Sequence, residues 1–162
     1  MTKFELAAAI VVHNDRVLVV RRSGKESFLP NHWGIPCGKI DVEQGESAEA
    51  AVLRELHEET GLKGKIVKYV GRSEFTSPWH SEQAQNIQQN YLIKPIVSWP
   101  KLMSARRLKI TTPQPDQQAE WVPLDLIDGF GLDAHNLGAI NQWRSPGVSH
   151  ASGPPESQFS RS

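Results

Sequence analysis

Residues 38–62, GKIDVEQGESAEAAVLRELHEETGL, predict a loop followed by one short helix with an acidic face. Ser47 is a favourable N-cap residue and Gly61 a favourable terminator, so the helix is expected between them. A helix turns about 100° per residue. Three carboxylates then fall within an arc of about 100°, namely those of Glu55, Glu58 and Glu59. Like charges at these spacings repel one another and weaken an isolated helix.

Two interpretations of this acidic arc follow from the residues alone. It is either a solvated helix face or a site for a hard divalent cation, because Mg²⁺ prefers oxygen ligands and is usually held by a few carboxylates together with substrate phosphates. Only Arg54, four residues before Glu58, offers charge relief on the helix.

The order of the residues distinguishes these interpretations. Residues 54–62, RELHEETGL, follow Glu46 after seven residues, and Gly45 precedes Glu46. This pattern resembles the signature of the Nudix hydrolases, including the MutT-like members. One departure lies in the loop, where seven residues separate Gly38 from Glu46 instead of the five of the family pattern.

The resemblance implies an α/β/α sandwich with a mixed β-sheet between helices. It also implies a hydrolase that cleaves a pyrophosphate bond in a nucleoside diphosphate linked to another group, with Mg²⁺, or alternatively Mn²⁺, as cofactor. The implied metal ligands are the carboxylates of Glu55, Glu58 and Glu59 and the carbonyl of Gly38, and the three carboxylates are also the expected catalytic groups. Glu46 and Arg54 are expected to pair and fix the loop on the helix, and Gly61 to end the helix.

Further site residues are expected outside the signature. Glu120 and Glu82 are candidates for the general base, with a surface carboxylate as the alternative for each. Arg21 and Arg22 end a predicted strand and are either phosphate contacts or a solvated strand end. Trp79 is either a platform for a nucleobase or a residue packed under its loop.

The remaining chain predicts alternating strands, loops and one further helix. The expected elements are a hairpin of strands Leu6–His13 and Arg16–Arg21, a strand Lys65–Phe75, a loop Thr76–Asn86, a strand Asn90–Ser98 with an edge or bulge at Pro95, a loop Pro100–Gln118, a strand Ala119–Leu124 and a helix Ala134–Trp143. Residues 1–144 are therefore expected to form one domain. Residues 145–162 are rich in serine, proline and glycine and are expected to be a disordered tail.

The composition argues against polyanion or membrane partners. Eighteen basic and eighteen acidic residues cancel, and the isoelectric point lies near 7.0. We therefore expect a small nucleotide substrate, no affinity for nucleic-acid polymers and no membrane association. The single cysteine, Cys37, fits a reducing compartment, and we expect a cytoplasmic protein. The family resemblance also suggests a homodimer.

The sequence predicts the class of reaction more narrowly than it predicts the substrate. Pro78 lies sixteen residues after Leu62, about where family members that act on ADP-ribose carry a proline, so ADP-ribose or a nucleotide sugar is favoured. A nucleoside triphosphate, including an oxidised one, is the main alternative. A non-catalytic nucleotide-sensing module is the rival class, although such modules usually lose signature carboxylates that this chain retains.

Overall fold

A computed structural model describes residues 2–26, 28–96 and 108–146. Within them the chain forms eight strands and two α-helices. The strands are β1 Thr2–His13, β2 Arg16–Arg21, β3 Trp33–Gly34, β4 Cys37–Lys39, β5 Gly64–Trp79, β6 Glu82–Pro95, β7 Leu108–Ile110 and β8 Gln118–Pro123. The helices are α1 Ala48–Thr60 and α2 Ala134–Arg144, and short 3-10 turns occupy Val42–Gln44 and Leu124–Gly129.

The sheet is mixed and lies between the two helices. Its main strand order is β5-β6-β1-β2-β8-β7, with β3 paired to β2 and β4 paired to β1. The long pairing of β1 with β6 is parallel, whereas the other pairings are antiparallel. This arrangement confirms the predicted α/β/α sandwich.

The two central strands bury both of their faces. One face of β1 and β2 packs with Ala51, Val52 and Leu56 of α1, and the opposite face packs with Ala139 and Ile140 of α2. A strand that is covered on both sides needs a nearly continuous apolar sequence, which explains the runs at the start of the chain. The hairpin between them turns at Asn14 and Asp15, both with positive φ, as the sequence predicts.

The predicted loop Thr76–Asn86 is wrong. Instead, β5 continues to Trp79, turns at His80 and Ser81, and returns as β6 from Glu82. Polar residues pair inside this hairpin, where the buried Asn86 amide donates a hydrogen bond of 2.9 Å to the Ser77 hydroxyl. Side chains that satisfy one another can be buried, so polarity alone misidentified a strand as a loop. Pro95 ends β6 opposite Gly64 of β5 and beyond the last pair with β1, so of the two predicted alternatives it takes the edge position and not the bulge.

The predicted loop and the predicted tail both fall partly outside the described residues. The predicted loop Pro100–Gln118 contains the short edge strand β7, while residues 97–107 lie outside the described residues. Residues 147–162, most of the predicted tail, also lie outside them, so the tail and the domain boundary at residue 144 stay predictions. In the described ranges, no helix is long and apolar enough to cross a bilayer.

Candidate active site

Helix α1 presents the acidic residues of the signature to a cleft. Ser47 caps the helix by accepting a hydrogen bond of 3.1 Å from the backbone N–H of Ala50, and Gly61 ends it in the left-handed conformation at φ 78°. Packing of Leu56 and its neighbours on the sheet fixes the rotation of α1. The acidic arc therefore faces β4 and the loop after β2.

The cleft has a volume of about 290 Å³ and brings together residues from six parts of the chain. Its described lining comprises Leu6 of β1, Arg22, Glu26 and Phe28 of the following loop, Cys37, Gly38 and Lys39 of β4, Glu55, Glu58 and Glu59 of α1, Trp79 of β5, and Gln114 and Gln117 before β8. All three signature carboxylates thus lie on one wall of the same cleft.

Glu59 is the most deeply buried of the three carboxylates. Its residue is 5% exposed, and its Oε2 accepts a hydrogen bond of 3.1 Å from the backbone N–H of Cys37. Burial, followed by repulsion from Glu55, raises the pKa of Glu59 to about 8. A carboxyl group held in this way gains from any nearby cation that compensates its negative charge.

Glu55 lies against the backbone of β4. A side-chain carbon added to Gly38 would overlap the Glu55 carboxylate, so only glycine permits this approach. Burial raises the pKa of Glu55, and the hydrogen bond from Arg54 opposes that shift. The two-residue insertion after Gly38 leaves this contact between β4 and α1 in place.

Arg54 joins the signature carboxylates to one another. Its Nε and Nη2 donate hydrogen bonds of 2.7 and 2.9 Å to the Glu46 carboxylate, which is the pair expected from the sequence. Its Nη1 donates to Glu55 at 2.8 Å and to Glu58 at 2.9 Å. The bonds from Arg54 lower the pKa of Glu46 to about 2. The guanidinium therefore ties the long loop to α1 and lies between two of the expected metal ligands.

The donor set matches a hard divalent cation in type. Carboxylate oxygens of Glu55, Glu58 and Glu59 and the backbone of Gly38 line one wall. Burial, and then repulsion from Glu55, raises the pKa of Glu59, and a nearby cation would offset both effects. Among the described residues, no three Asp, Glu, His or Cys side chains already surround a single metal position. Arg54 bonds to Glu55 and Glu58 instead, so the four ligands stay a prediction.

The two arginines after β2 have different positions. Arg22 lines the cleft, donates a hydrogen bond of 2.6 Å to the carbonyl of Phe28 and lies 3.5 Å from Glu26. Arg21 instead makes long hydrogen bonds of 3.4 Å to Asn31 and lies outside the cleft lining. Of these two arginines, Arg22 is thus the one placed to contact a phosphate beside the carboxylates.

Neither candidate for the general base lies with the signature carboxylates. Glu120 is 3% exposed and pairs across the sheet with Val19, which belongs to the α2 side of the core, so it lies on the opposite face from α1. Glu82 begins β6 at the exposed end of the hairpin and is outside the cleft lining. Glu120 lies on the α2 face because side chains alternate along β8, and Glu82 lies at the turn of a hairpin that the sequence did not predict.

Trp79 does line the cleft, but the ring is already in contact with other side chains. The Lys39 ammonium lies 4.5 Å from its centroid, and Phe4 packs edge-on at 4.8 Å. Lys39 was missed from the sequence, although its place next to Gly38 was a usable signal. Phe28, Gln114 and Gln117 were also missed, because loop residues carry no periodic pattern that would predict their direction.

Fold and site together define a sandwich protein with a signature helix facing an acidic cleft, and the chain belongs to the NUDIX family. The model of the NUDIX domain matches residues 3–144. The NUDIX domain of NrtR from Shewanella oneidensis, solved in complex with ADP ribose, superposes with a TM-score of 0.62 over 89% of this chain and 88% of that chain at 21% identity. That similarity concerns the fold.

Two curated relatives match about two fifths to one half of the chain. The 8-oxo-dGTP diphosphatase of Escherichia coli is 31% identical over 78 residues, which cover 48% of this chain and 59% of the relative. An RNA pyrophosphohydrolase of Sphingopyxis alaskensis is 41% identical over 68 residues, covering 41% of this chain and 40% of the relative. The chain thus spans less than two thirds of the length of these relatives.

Proposed function

We propose that this protein is a metal-dependent pyrophosphohydrolase that cleaves the diphosphate of a nucleoside diphosphate linked to another group. The observation that carries the proposal is the common cleft, in which Glu55, Glu58 and Glu59 line one wall together with Arg22 and Lys39. Carboxylates beside cations suit a ligand that arrives with both a divalent metal and phosphate groups.

Each of the signature residues has a role in this proposal. Glu55 and Glu59, with Glu58 and the Gly38 carbonyl, would hold Mg²⁺ or Mn²⁺. When bound, such an ion supplies Lewis acidity to phosphate oxygens and to water. The Cys37 N–H orients Glu59, and Arg54 holds the loop through Glu46 and orients Glu55.

The cationic residues of the cleft bind the phosphates in this proposal. Arg22 is held by the Phe28 carbonyl and by Glu26, so its guanidinium is oriented before a ligand arrives. Phosphoryl transfer needs positioning and charge stabilisation more than covalent chemistry, and oriented charges supply both. Glu120 and Glu82 receive no catalytic role.

Two substrate classes are supported by similarity. ADP-ribose, with related nucleotide sugars, stays the first candidate, since the Shewanella domain of the same fold was solved with ADP ribose. Nucleoside triphosphates, including oxidised ones, are the second because of the similarity to the E. coli 8-oxo-dGTP diphosphatase. Pro78 no longer separates them, because it lies within strand β5 paired with Gln83 and not in a loop.

The proposal is tested by measuring phosphate-containing products from a panel with Mg²⁺ and with EDTA. The panel contains ADP-ribose, nucleotide sugars, dGTP, 8-oxo-dGTP and a 5′-triphosphorylated RNA oligonucleotide, with products identified by mass. We expect Mg²⁺-dependent cleavage of at least one small nucleotide, and a fall in kcat on the order of 10²-fold or more for Glu59→Gln.

Glu43→Gln is the matched control, because Glu43 is an exposed carboxylate in the 3-10 turn next to the signature helix. It should retain wild-type turnover. Tight nucleotide binding without cleavage on the whole panel would favour the sensing module, and unchanged turnover in a folded Glu59→Gln protein would contradict the assignment of the metal site.

A further inference from the structure

Lys39 lies at the junction between the signature loop and an aromatic pair. Its ammonium is 4.0 Å from the ring centroid of Phe4 and 4.5 Å from that of Trp79. The two rings meet edge to face at 4.8 Å with an interplanar angle of 79°. Both distances are within the range of cation–π attraction.

Three strands set this arrangement. Lys39 is the last residue of β4 and pairs with Leu6 of β1, Phe4 lies two residues earlier on β1, and Trp79 ends β5. The His80 ring packs against Trp79, and their centroids lie 4.6 Å apart. A lysine side chain is normally free to sample many rotamers, so contact with two fixed rings restricts where its charge lies.

Lys39 is also connected to the signature itself. Its backbone carbonyl accepts a hydrogen bond of 3.0 Å from Arg54 Nη2, and its neighbour Gly38 contacts the Glu55 carboxylate. Its side chain lines the same cleft as the three carboxylates. Within the part of the chain that the structure describes, its ammonium forms no ion pair, so the charge is available to a ligand.

We propose that the Lys39 ammonium binds a phosphate oxygen of the substrate, and that Phe4 and Trp79 are positioning residues that act through Lys39. This inference rests on the proposed function, since it assigns a phosphate contact within that site. It changes the expected role of Trp79, whose ring holds a cation and is not a platform for a nucleobase.

The charge balance of the cleft supports the assignment. The negative charge of a bound diphosphate adds to that of the ionised signature carboxylates in the same cleft, and the sum exceeds the charge that one divalent ion neutralises. Arg22 and Lys39 are cations from different elements, the first from the loop after β2 and the second from β4. Placed on separate elements, they are suited to contact different phosphate oxygens of one ligand.

The test is calorimetric titration of the full chain with imidodiphosphate, a non-hydrolysable diphosphate, in the presence of Mg²⁺. Lys39→Gln should weaken binding about tenfold, as expected for loss of a charge-assisted hydrogen bond. Trp79→Leu should weaken it by a smaller factor. In the Lys39→Gln/Trp79→Leu double variant the loss should equal that of Lys39→Gln alone, because Trp79 acts through the lysine.

Conservative variants and a remote lysine complete the design. Lys39→Arg and Trp79→Phe should restore most of the affinity, since each keeps the charge or the ring. Lys65→Gln is the matched control, because Lys65 is an exposed lysine on β5 opposite Lys94 and outside the cleft lining. Thermal melts of every variant identify any loss caused by unfolding.

Two results would overturn the inference. One is affinity of folded Lys39→Gln within twofold of wild type. The other is additive losses of imidodiphosphate affinity in the double variant, which would show that Trp79 does not act through Lys39. A wild-type protein that binds imidodiphosphate through Lys39 but cleaves no nucleotide would reject the proposed function while retaining this phosphate contact.

Discussion

Glu59 illustrates how one buried residue connects packing with chemistry. The sheet and α1 bury its carboxylate, and the Cys37 N–H donates a hydrogen bond of 3.1 Å to it. Burial of a charged group is unfavourable unless another charge compensates it. The fold therefore carries an electrostatic cost at this position that binding of a divalent cation would relieve.

At Gly38 the prediction concerns the close approach between β4 and Glu55. Gly38→Ala places a methyl group where the Glu55 carboxylate lies, so the carboxylate or the strand must move. We expect kcat/KM for the nucleotide identified in the panel to fall about 10²-fold, the scale of a displacement of about 1 Å at a reacting centre. Gly129→Ala is the matched control, because a side-chain carbon there meets nothing within 4 Å. Equal activity of the two variants would contradict the proposed role of Gly38.

His135 supplies a prediction about the pH dependence of stability. It stacks on Phe75 with ring centroids 3.5 Å apart, and burial lowers the pKa of His135 from 6.5 to about 4. Between these values the unfolded chain binds a proton that the folded chain does not, so the free energy of unfolding falls as the pH drops from 6.5 to 4.

The measurement is the melting temperature of wild type and His135→Gln at several pH values across that range. Wild type should lose more stability on acidification than the variant, which lacks the titrating ring. If both proteins showed the same pH slope, His135 would not be the group that takes up the proton.

At the scale of elements, α1 depends on its caps as well as on its packing. Ser47 accepts a hydrogen bond from the Ala50 N–H, and Ser47→Ala should lower the free energy of unfolding by about 1 kcal/mol in urea denaturation. Ser47→Asp retains an acceptor and should stay near wild type. A Ser47→Ala protein as stable as wild type would show that packing alone defines the start of the helix.

Elements with strong local signals could be predicted from the sequence. The caps of α1, the positive-φ turn at Asn14 and Asp15, and the apolar runs of β1 and β2 are all local features, and the structure contains each of them. The hairpin around His80 was not predicted, because its strands bury polar side chains that pair only after folding. Local patterning does not show which polar side chains will pair across two strands.

In the candidate site, too, the residues on one element could be predicted, whereas those brought in from other segments could not. The spacing of Glu55, Glu58 and Glu59 on one helix was enough to place them together. Residues that reach the cleft from other segments, such as Phe28 and Gln117, depend on how distant parts of the chain meet. The position of Glu120 could not be predicted, because the face on which a strand residue lies depends on register, which the sequence of one strand does not define.

At the scale of the whole molecule, the cleft forms where separate layers meet. The signature helix contributes carboxylates from one layer, while the sheet and the loop after β2 contribute Lys39 and Arg22. A cation and a diphosphate in the cleft would therefore contact segments that are distant in sequence. Binding of such ligands to the folded state alone also raises its stability.

The most direct test of the central claim is anomalous diffraction from crystals soaked with Mn²⁺ and imidodiphosphate. The account predicts a manganese peak coordinated by carboxylate oxygens of Glu55 and Glu59, with the diphosphate on the side of Arg22. A peak elsewhere, or a bound diphosphate with these carboxylates directed away from any metal, would contradict it.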